Sequence, residues 1–155
     1  MKSALPVIGA IALVATAHAD VINVPADHAT IQGAINAAFN GDEIIVQPGT
    51  YNEALNYFGK NLIVRSTDPT DPDVVAATII DAAGTNLRAV TFGNNETNLA
   101  VFSGFYCIGG DTSEAGGACA VLANPTISYC VFDGNYASFR GGAIYNLISD
   151  CHVHD

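Results

Sequence analysis

Two histidines near the end of the sequence are the first residues whose type and spacing could support chemistry. His152 and His154 alternate, so both side chains would face the same side of a β-strand, with Asp155 adjacent. Imidazole and carboxylate groups bind metals and move protons, so a metal or catalytic site is one interpretation. Two imidazoles do not complete such a site, and we favour an exposed strand face whose inward residues are Cys151 and Val153.

An acidic segment, Asp68–Asp73, offers carboxylate oxygens of the kind that bind calcium. It lacks the glycine and the spaced ligands of an established calcium loop, and it contains two prolines. The favoured interpretation is therefore a solvated loop. We predict no bound cofactor, with calcium at this segment as the alternative.

Four cysteines are the remaining chemical group: Cys107, Cys119, Cys130 and Cys151. Cys107, Cys130 and Cys151 recur at nearly even intervals, and no CxxC or Cys/His pair has metal-ligand spacing. Free cysteine behaves as a small hydrophobe, which favours buried thiols at one equivalent position of successive repeats. A disulfide between neighbouring repeats is the alternative, because stacked strands lie about 4.8 Å apart.

The elements that must position these residues are indicated by a repeat near the end of the chain. Ile127–Asp133 matches Ile148–His154, with isoleucine, serine and cysteine in register. A Gly-Gly-Ala element also recurs, at 116–118 and 141–143. Self-similarity at a period of about 21 residues is typical of a solenoid, in which each repeat buries its apolar side against the next.

Short apolar runs upstream continue this pattern, separated by turns rich in Gly, Asn, Asp and Pro. The runs are Glu43–Gln47, Leu62–Val64, Thr78–Ile80, Ala89–Phe92 and Leu99–Ile108. They predict an all-β fold, a parallel β-helix with three short strands per turn and about five coils. An antiparallel sandwich is the alternative, but it does not explain the in-register repeats.

The region before these runs predicts a cap. Val21–Val24 has the pattern of a first strand, and Thr30 that of the N-cap of a helix over about Ile31–Phe39, ended by Asn40 and Gly41. Such a helix would cover the apolar end of the first coil and its unpaired strand edge. Four of its residues form one apolar stripe: Ile31, Ala34, Ile35 and Ala38.

Residues 1–19 have the pattern of a secretory signal peptide. Lys2 precedes an apolar run from Ala4 to Ala15, and Ala17-His18-Ala19 is a small-x-small cleavage site. The run is short for a bilayer span, so a retained anchor is only the alternative. The chain would then divide into a signal peptide (1–19), a strand and capping helix (20–41) and coils (42–155). We expect a secreted or cell-surface protein, with no transmembrane segment in the mature chain.

The charge balance excludes two classes of partner. The sequence has 5 basic and 15 acidic residues and a formal net charge of −10. Nucleic acids and anionic lipid surfaces attract proteins rich in Lys and Arg, so neither is an expected partner. A polyanion such as pectate would be repelled unless calcium or a local basic patch intervened.

Two sets of motifs resemble known families. Thr30–Ala38, followed by Gly41-Asp42 and Pro48–Glu53, is similar to the N-terminal cap and first coil of pectin-lyase-like right-handed β-helix proteins. Phe132–Asn135 (FxxN) with Gly141–Ile144 (GGA[ILV]) resembles the repeats of polymorphic outer-membrane adhesins, which also build β-helices. The resemblance implies a right-handed parallel β-helix over the mature chain. It leaves the activity open, because this fold hosts lyases, hydrolases, esterases and non-catalytic adhesins.

Enzymes of this fold would carry clustered carboxylates, with arginine or calcium, on an exterior strand face. Arg65, Arg88 and Arg140 lie far apart in the sequence, without a carboxylate pair at the equivalent position of the next coil. Asp133 aligns with His154 rather than with a second aspartate. General acid–base catalysis needs two positioned groups, so we predict no catalytic, cofactor-binding or metal-binding residue.

We expect a non-catalytic binding or adhesion module, with a polysaccharide or a cell-surface protein as partner. The alternatives are a polysaccharide lyase, hydrolase or esterase whose catalytic coils are missing or unrecognised, and a structural spacer. The chain stops inside a repeat, so we expect a fragment of a longer protein. Dispersed tyrosines could stack on sugars, but we favour half-buried packing for them: Tyr51, Tyr57, Tyr106, Tyr129, Tyr136 and Tyr145.

Overall fold

The computed structural model describes residues 18–112, 117–121, 123–138, 141–147 and 150–154. Most of the predicted signal peptide lies outside these ranges, as do Gly116, Arg140, Asp155 and the Ile148-Ser149 pair of the second repeat. Within the described ranges, no helix is both long enough and apolar enough to span a membrane.

The described residues form two short helices and sixteen strands. In chain order these elements are β1 (Val21–Val24), α1 (Ile31–Ala37), β2 (Glu43–Val46), β3 (Gly49–Tyr51), β4 (Leu55–Asn56), β5 (Ile63–Ser66), α2 (Pro72–Ala77), β6 (Thr78–Asp81), β7 (Val90–Phe92), β8 (Val101–Ser103), β9 (Tyr106–Ile108), β10 (Asp111–Thr112), β11 (Ala118–Val121), β12 (Thr126–Ser128), β13 (Val131–Phe132), β14 (Tyr136–Ala137), β15 (Ile144–Leu147) and β16 (His152–His154).

The strands pair in parallel throughout the described part of the chain. Sheet A has the order β1-β2-β5-β8-β12-β16, sheet B β13-β9-β6-β3, sheet C β15-β11-β7-β4, and sheet D contains β10 and β14. Counted from β2, each pass of the chain, meaning the run from one sheet A strand to the next, visits sheets A, B and C in that order. The prediction of a mainly β protein with parallel strands is confirmed, and the antiparallel sandwich is excluded.

The core lies on the inward rows of these sheets. Along β2, Ile44 and Val46 are buried while Glu43 and Ile45 are only partly covered, because alternate side chains of a strand point to opposite faces. The inward row of sheet A stacks like over like, with each member at most 1% exposed: Ile44, Val64, Phe102 and Ile127.

The spacing between the last passes is longer than the Ile-Ser-x-Cys repeat predicts. Thr126 pairs with Val101 on one side and with His152 on the other. Ile127 thus lies opposite Val153, and the predicted alignment with Ile148 is wrong. In the shorter register, Val153 would instead lie opposite Phe132 of β13, which belongs to sheet B.

The predicted alignment of the cysteines in successive repeats is also wrong. Cys107 lies opposite Phe132, so it shares no register position with Cys130. Cys107 is fully buried, Cys130 and Cys151 are partly buried, and all three thiols are free. The prediction of a buried thiol is therefore confirmed for Cys107. The prediction that the cysteines occupy one equivalent position of successive repeats is wrong.

Helix α1 begins where the sequence predicts and ends two residues earlier. The Thr30 side chain accepts a hydrogen bond from Gly33 N at 3.1 Å, as an N-cap does. Ala38 is extended (φ −67°, ψ 154°), so Asn40 and Gly41 lie beyond the helix rather than capping it. The predicted apolar stripe is buried, and the helix contacts β1, β2 and β4.

Three side chains from the first pass and the helix hold α1 against the sheets. Glu53 accepts hydrogen bonds from Ile31 N (3.0 Å) and Gln32 N (2.8 Å) at the helix start. Lys60 Nζ donates to three main-chain carbonyls at the helix end, at 2.7–2.9 Å. Gln32 bonds both main-chain groups of Asn56 in β4, as a neighbouring strand would. Charges of these signs at these ends also complement the helix dipole.

Asparagine side chains at the corner that leads into sheet A bind main-chain N–H groups of the following pass. Asn40 Oδ1 accepts from Asn61 N at 2.9 Å, and Asn61 Oδ1 accepts from Thr97 N at 2.8 Å. Asn124 Oδ1 repeats the contact with Asp150 N at 2.6 Å. Each amide side chain thus binds the main chain of the following pass, which satisfies turn groups that no strand pairs.

Two local predictions need correction. The run Leu99–Ile108 is not one strand, because Gly104 adopts φ +80° and sends β8 and β9 to different sheets. The segment Asp68–Asp73 is solvated as predicted, but Asp71 caps a helix, α2, through a hydrogen bond from Asp73 N. Proline at the first position of a helix is favourable, so this start signal was present in the sequence.

Candidate functional site

The histidine pair lies on the outward rows of sheet A. His152 and His154 are exposed and stand in register with Thr126 and Ser128, so both face the same side as predicted. Val153 belongs to the inward row but is 57% exposed. The predicted alignment of Asp133 with His154 is wrong, since Asp133 follows β13 on another sheet.

Acidic side chains mostly bind main-chain N–H groups. Asp42 accepts from Asp20 N and Phe39 N, and the fully buried Glu96 accepts from Gly59 N and Asn94 N. No group of three His, Cys, Asp or Glu side chains that could hold a metal occurs among the residues that were placed. The carboxylates of the described residues therefore serve mainly as structural acceptors.

One arginine does have a carboxylate partner, which the sequence did not indicate. Arg65 Nε lies 2.5 Å from Glu43 Oε1 on the neighbouring strand of sheet A, diagonal to it in the register. Arg65 Nη1 also donates to the carbonyls of Ser66 and Thr67, which fixes the guanidinium. These contacts tie the Arg65 side chain to sheet A, where β5 lies between β2 and β8.

A groove of about 300 Å³ opens on the outside of sheet B, and it is the best candidate for a functional site. Helix α2 forms one wall, and Tyr106 of β9 and Val131 of β13 form the other. The turn between β12 and β13 contributes Tyr129 and Cys130. The groove exists because α2 is inserted between β5 and β6 and packs across β6 and β9.

A polar pair flanks this groove. The Tyr106 hydroxyl donates to Asp133 Oδ2 at 2.7 Å. The hydrogen bond from Tyr106 to Asp133 raises the pKa of the tyrosine, so it stays a neutral donor. On the opposite side, Thr70 donates to Asp68 Oδ1 through both its main-chain N (3.0 Å) and its hydroxyl (2.8 Å). Hydrogen bonds from Thr70 lower the pKa of Asp68, which keeps this carboxylate ionised.

Tyr129 occupies an unusual backbone position at the groove. Its φ is +52°, a left-handed conformation that is rare for a bulky residue. Ser103 and Ser128 are register partners, so the residue equivalent to Tyr129 in the preceding pass is Gly104, with φ +80°. The corner requires a left-handed residue, and glycine would adopt it without strain. The Tyr129 ring is 40% exposed and meets His154 edge-on, with 6.4 Å between ring centroids.

The thiol at the base of the groove does not have the properties of a nucleophile. Cys130 Sγ donates to Ser128 O at 3.2 Å, and burial raises its pKa from 9.0 to about 12. Catalytic cysteines need a depressed pKa, because the thiolate is the attacking species. The groove is therefore suited to binding rather than to covalent chemistry through this thiol.

Three of the six tyrosines, Tyr51, Tyr106 and Tyr145, are half-buried as the sequence analysis favoured, and the other three differ. Tyr57 is fully buried, and its hydroxyl donates to Val101 O at 2.6 Å. Tyr129 and Tyr136 are exposed, at 40% and 61%. Sequence reasoning missed the groove because its two walls come from α2 and β9, which are widely separated in the chain.

Comparison with protein-family models, with curated proteins and with solved structures finds no match.

Proposed function

We propose that the chain is a right-handed parallel β-helix of the pectin-lyase-like kind, with α1 as its N-terminal cap. The fixed order of sheets A, B and C in each pass supports this proposal. So do the contacts of Gln32 with the edge of β4, which take the place of a missing neighbouring strand. The resemblance of Thr30–Ala38 and Pro48–Glu53 to the cap of that family supplies the handedness.

On this scaffold we propose an exported, non-catalytic binding or adhesion module whose partner is a carbohydrate or a cell-surface protein. One observation carries this proposal: the outer groove presents exposed Tyr129 and Val131, whereas the buried carboxylates Asp42 and Glu96 bind main-chain N–H groups. A binding surface needs exposed aromatic area with a few polar groups beside it. A glycosidase would instead need two carboxyl groups placed on either side of a scissile bond.

The test is a paired measurement on the secreted protein. Binding to immobilised glycans and to whole cells is measured beside release of new reducing ends or unsaturated products from polysaccharides, with and without calcium. We expect binding without product. Steady bond cleavage would replace this proposal with the enzyme alternative, and the absence of any binding would replace it with the spacer alternative.

A further inference from the structure

We propose that the groove between α2 and sheet B is a binding site for a neutral sugar unit of a glycan. This inference rests on the proposed binding function and names the ligand class of its site. It draws on the shape of the groove, its charge, and the backbone of Tyr129.

The groove has the two surfaces that a pyranose ring requires. Its volume of about 300 Å³ is at the lower end of the range for small-ligand sites. Tyr129 and Pro69 supply apolar area against which the C–H face of a sugar can pack. The Tyr106–Asp133 pair lies beside this area, and an ionised carboxylate can accept several hydrogen bonds from hydroxyl groups.

The charge around the groove selects neutral over acidic sugars. Among the described residues that line it, none is lysine or arginine. Asp68, Asp71 and Asp73 are exposed next to the α2 wall, and Asp133 is exposed on the other side. With a net charge of −10 for the chain, uronic acids and sulfated sugars would be repelled.

The conformation of Tyr129 gives further support. Folding alone would be satisfied by glycine at this corner, as Gly104 shows one pass earlier. A bulky residue held at φ +52° is strained, and Phe58 has the same φ outside the groove, so the strain at Tyr129 supports a site only together with the position of Tyr129 in the groove lining. Tyr129 thus adopts a backbone conformation that is unfavourable for a bulky residue, at a position where it lines the groove.

The experiment compares two glycine substitutions by isothermal titration calorimetry. Tyr129→Gly removes the groove ring, and Phe58→Gly removes the ring of the other aromatic residue at positive φ (+52°), which is 59% exposed outside the groove. Both changes relieve the same kind of backbone strain, so both variants are expected to fold at least as well as the wild type. The probes are cellotriose, xylotriose, mannotriose and the acidic trigalacturonate.

We expect the wild type to bind at least one neutral trisaccharide, and to bind trigalacturonate about tenfold more weakly or not at all. Tyr129→Gly should lower the affinity by about tenfold or more, whereas Phe58→Gly should leave it unchanged. Asp133→Ala should also weaken binding and lower the pKa of Tyr106 in a spectroscopic titration, because its hydrogen-bond acceptor is gone.

Three results would overturn this inference, and they separate it from the proposed function. Equal affinities of the wild type and Tyr129→Gly would move the sugar site away from this groove but leave the binding function intact. Tighter binding of trigalacturonate than of every neutral trisaccharide would replace the ligand class. Failure to bind any glycan would contradict the inference, even if the protein still adheres to cells. Failure to bind glycans together with failure to adhere to cells would also contradict the proposed function.

Discussion

Replacement of Lys60 by methionine should release the capping helix from the first pass. Lys60 is the only lysine after Lys2, and its ammonium group bonds the carbonyls of Ile35, Asn36 and Ala38. Methionine keeps an apolar stem of similar length but donates nothing. The last carbonyls of a helix have no partner within the helix, so their hydrogen bonds come from such side chains or from water.

The size of the effect follows from the burial of the three carbonyls. The contacts to Ile35 O and Ala38 O are part-buried, and that to Asn36 O is exposed. An exposed carbonyl can bind water instead at little cost, whereas each part-buried acceptor left unpaired costs about 1–3 kcal/mol. We therefore expect the free energy of unfolding to fall by about 3 kcal/mol. With a urea m-value of about 2 kcal/mol/M, the midpoint would move down by about 1.5 M.

Urea unfolding followed by circular dichroism at 0.15 M and 1 M NaCl is the assay. The charge lost also makes an acidic chain more negative, and that general effect is screened at high salt. Direct hydrogen bonds are screened much less, so most of the midpoint shift should persist at 1 M NaCl. A shift below about 0.3 M, or one that disappears in salt, would refute the capping role.

Three further outcomes can be measured. The pKa of Cys130 is raised to about 12 by burial, so the unfolded state loses its proton first as pH rises above about 9. Burial also raises the pKa of Cys107 and Cys151, so Cys130 is one of several contributors to the fall in stability above pH 9. Its own share is about 1.4 kcal/mol per pH unit between pH 9 and 11, and Cys130→Ala should reduce the decline by that amount in urea titrations. Asn61→Leu removes the acceptor for Thr97 N, but this contact is exposed and water can replace it, so the cost should be only about 0.5 kcal/mol by the same method. Gln32→Met unpairs the edge of β4 at Asn56, and light scattering should show aggregation that the wild type lacks.

Local signals in the sequence were sufficient to predict helix α1 and the parallel direction of the strands. The apolar stripe of α1 and the Thr30 N-cap lie within one short segment, so periodicity alone predicts them. The partners of α1 were not predictable in this way, because Glu53 and Lys60 lie on the first pass, after the helix and far along the chain from the groups they bind. Their contacts exist only once the passes stack.

The strand register differs from the register that the sequence repeats predict, although the repeats correctly indicate stacked parallel strands. The Ile-Ser-x-Cys match predicts a period of 21, whereas the Gly-Gly-Ala spacing of 25 equals the offset between Val101 and Thr126. At the Gly-Gly-Ala element itself the offset is one position longer, since Ala118 pairs with Ile144 rather than with Ala143. Position 142 needs glycine, since a Cβ there would lie 2.7 Å from Asn135 O in the same pass. Beside Asn135, Gly134 adopts a left-handed φ of +60°, and the Asn135 side-chain amide donates to Cys107 O at 2.9 Å. The groove depends on this register, so the sequence alone could not locate it.

The stacking of passes in the observed register is tested most directly by disulfide trapping. Ser103 and Ser128 are register partners with their hydroxyl oxygens 2.9 Å apart, so Ser103→Cys with Ser128→Cys should form a bridge on mild oxidation. Ser103→Cys with Thr126→Cys is the matched control, because a register two positions shorter would pair those residues instead. Peptide mapping by mass spectrometry should find the first bridge and not the second. A bridge in the control pair alone would contradict the register, and with it the alignment of Tyr129 with Gly104 on which the sugar site depends.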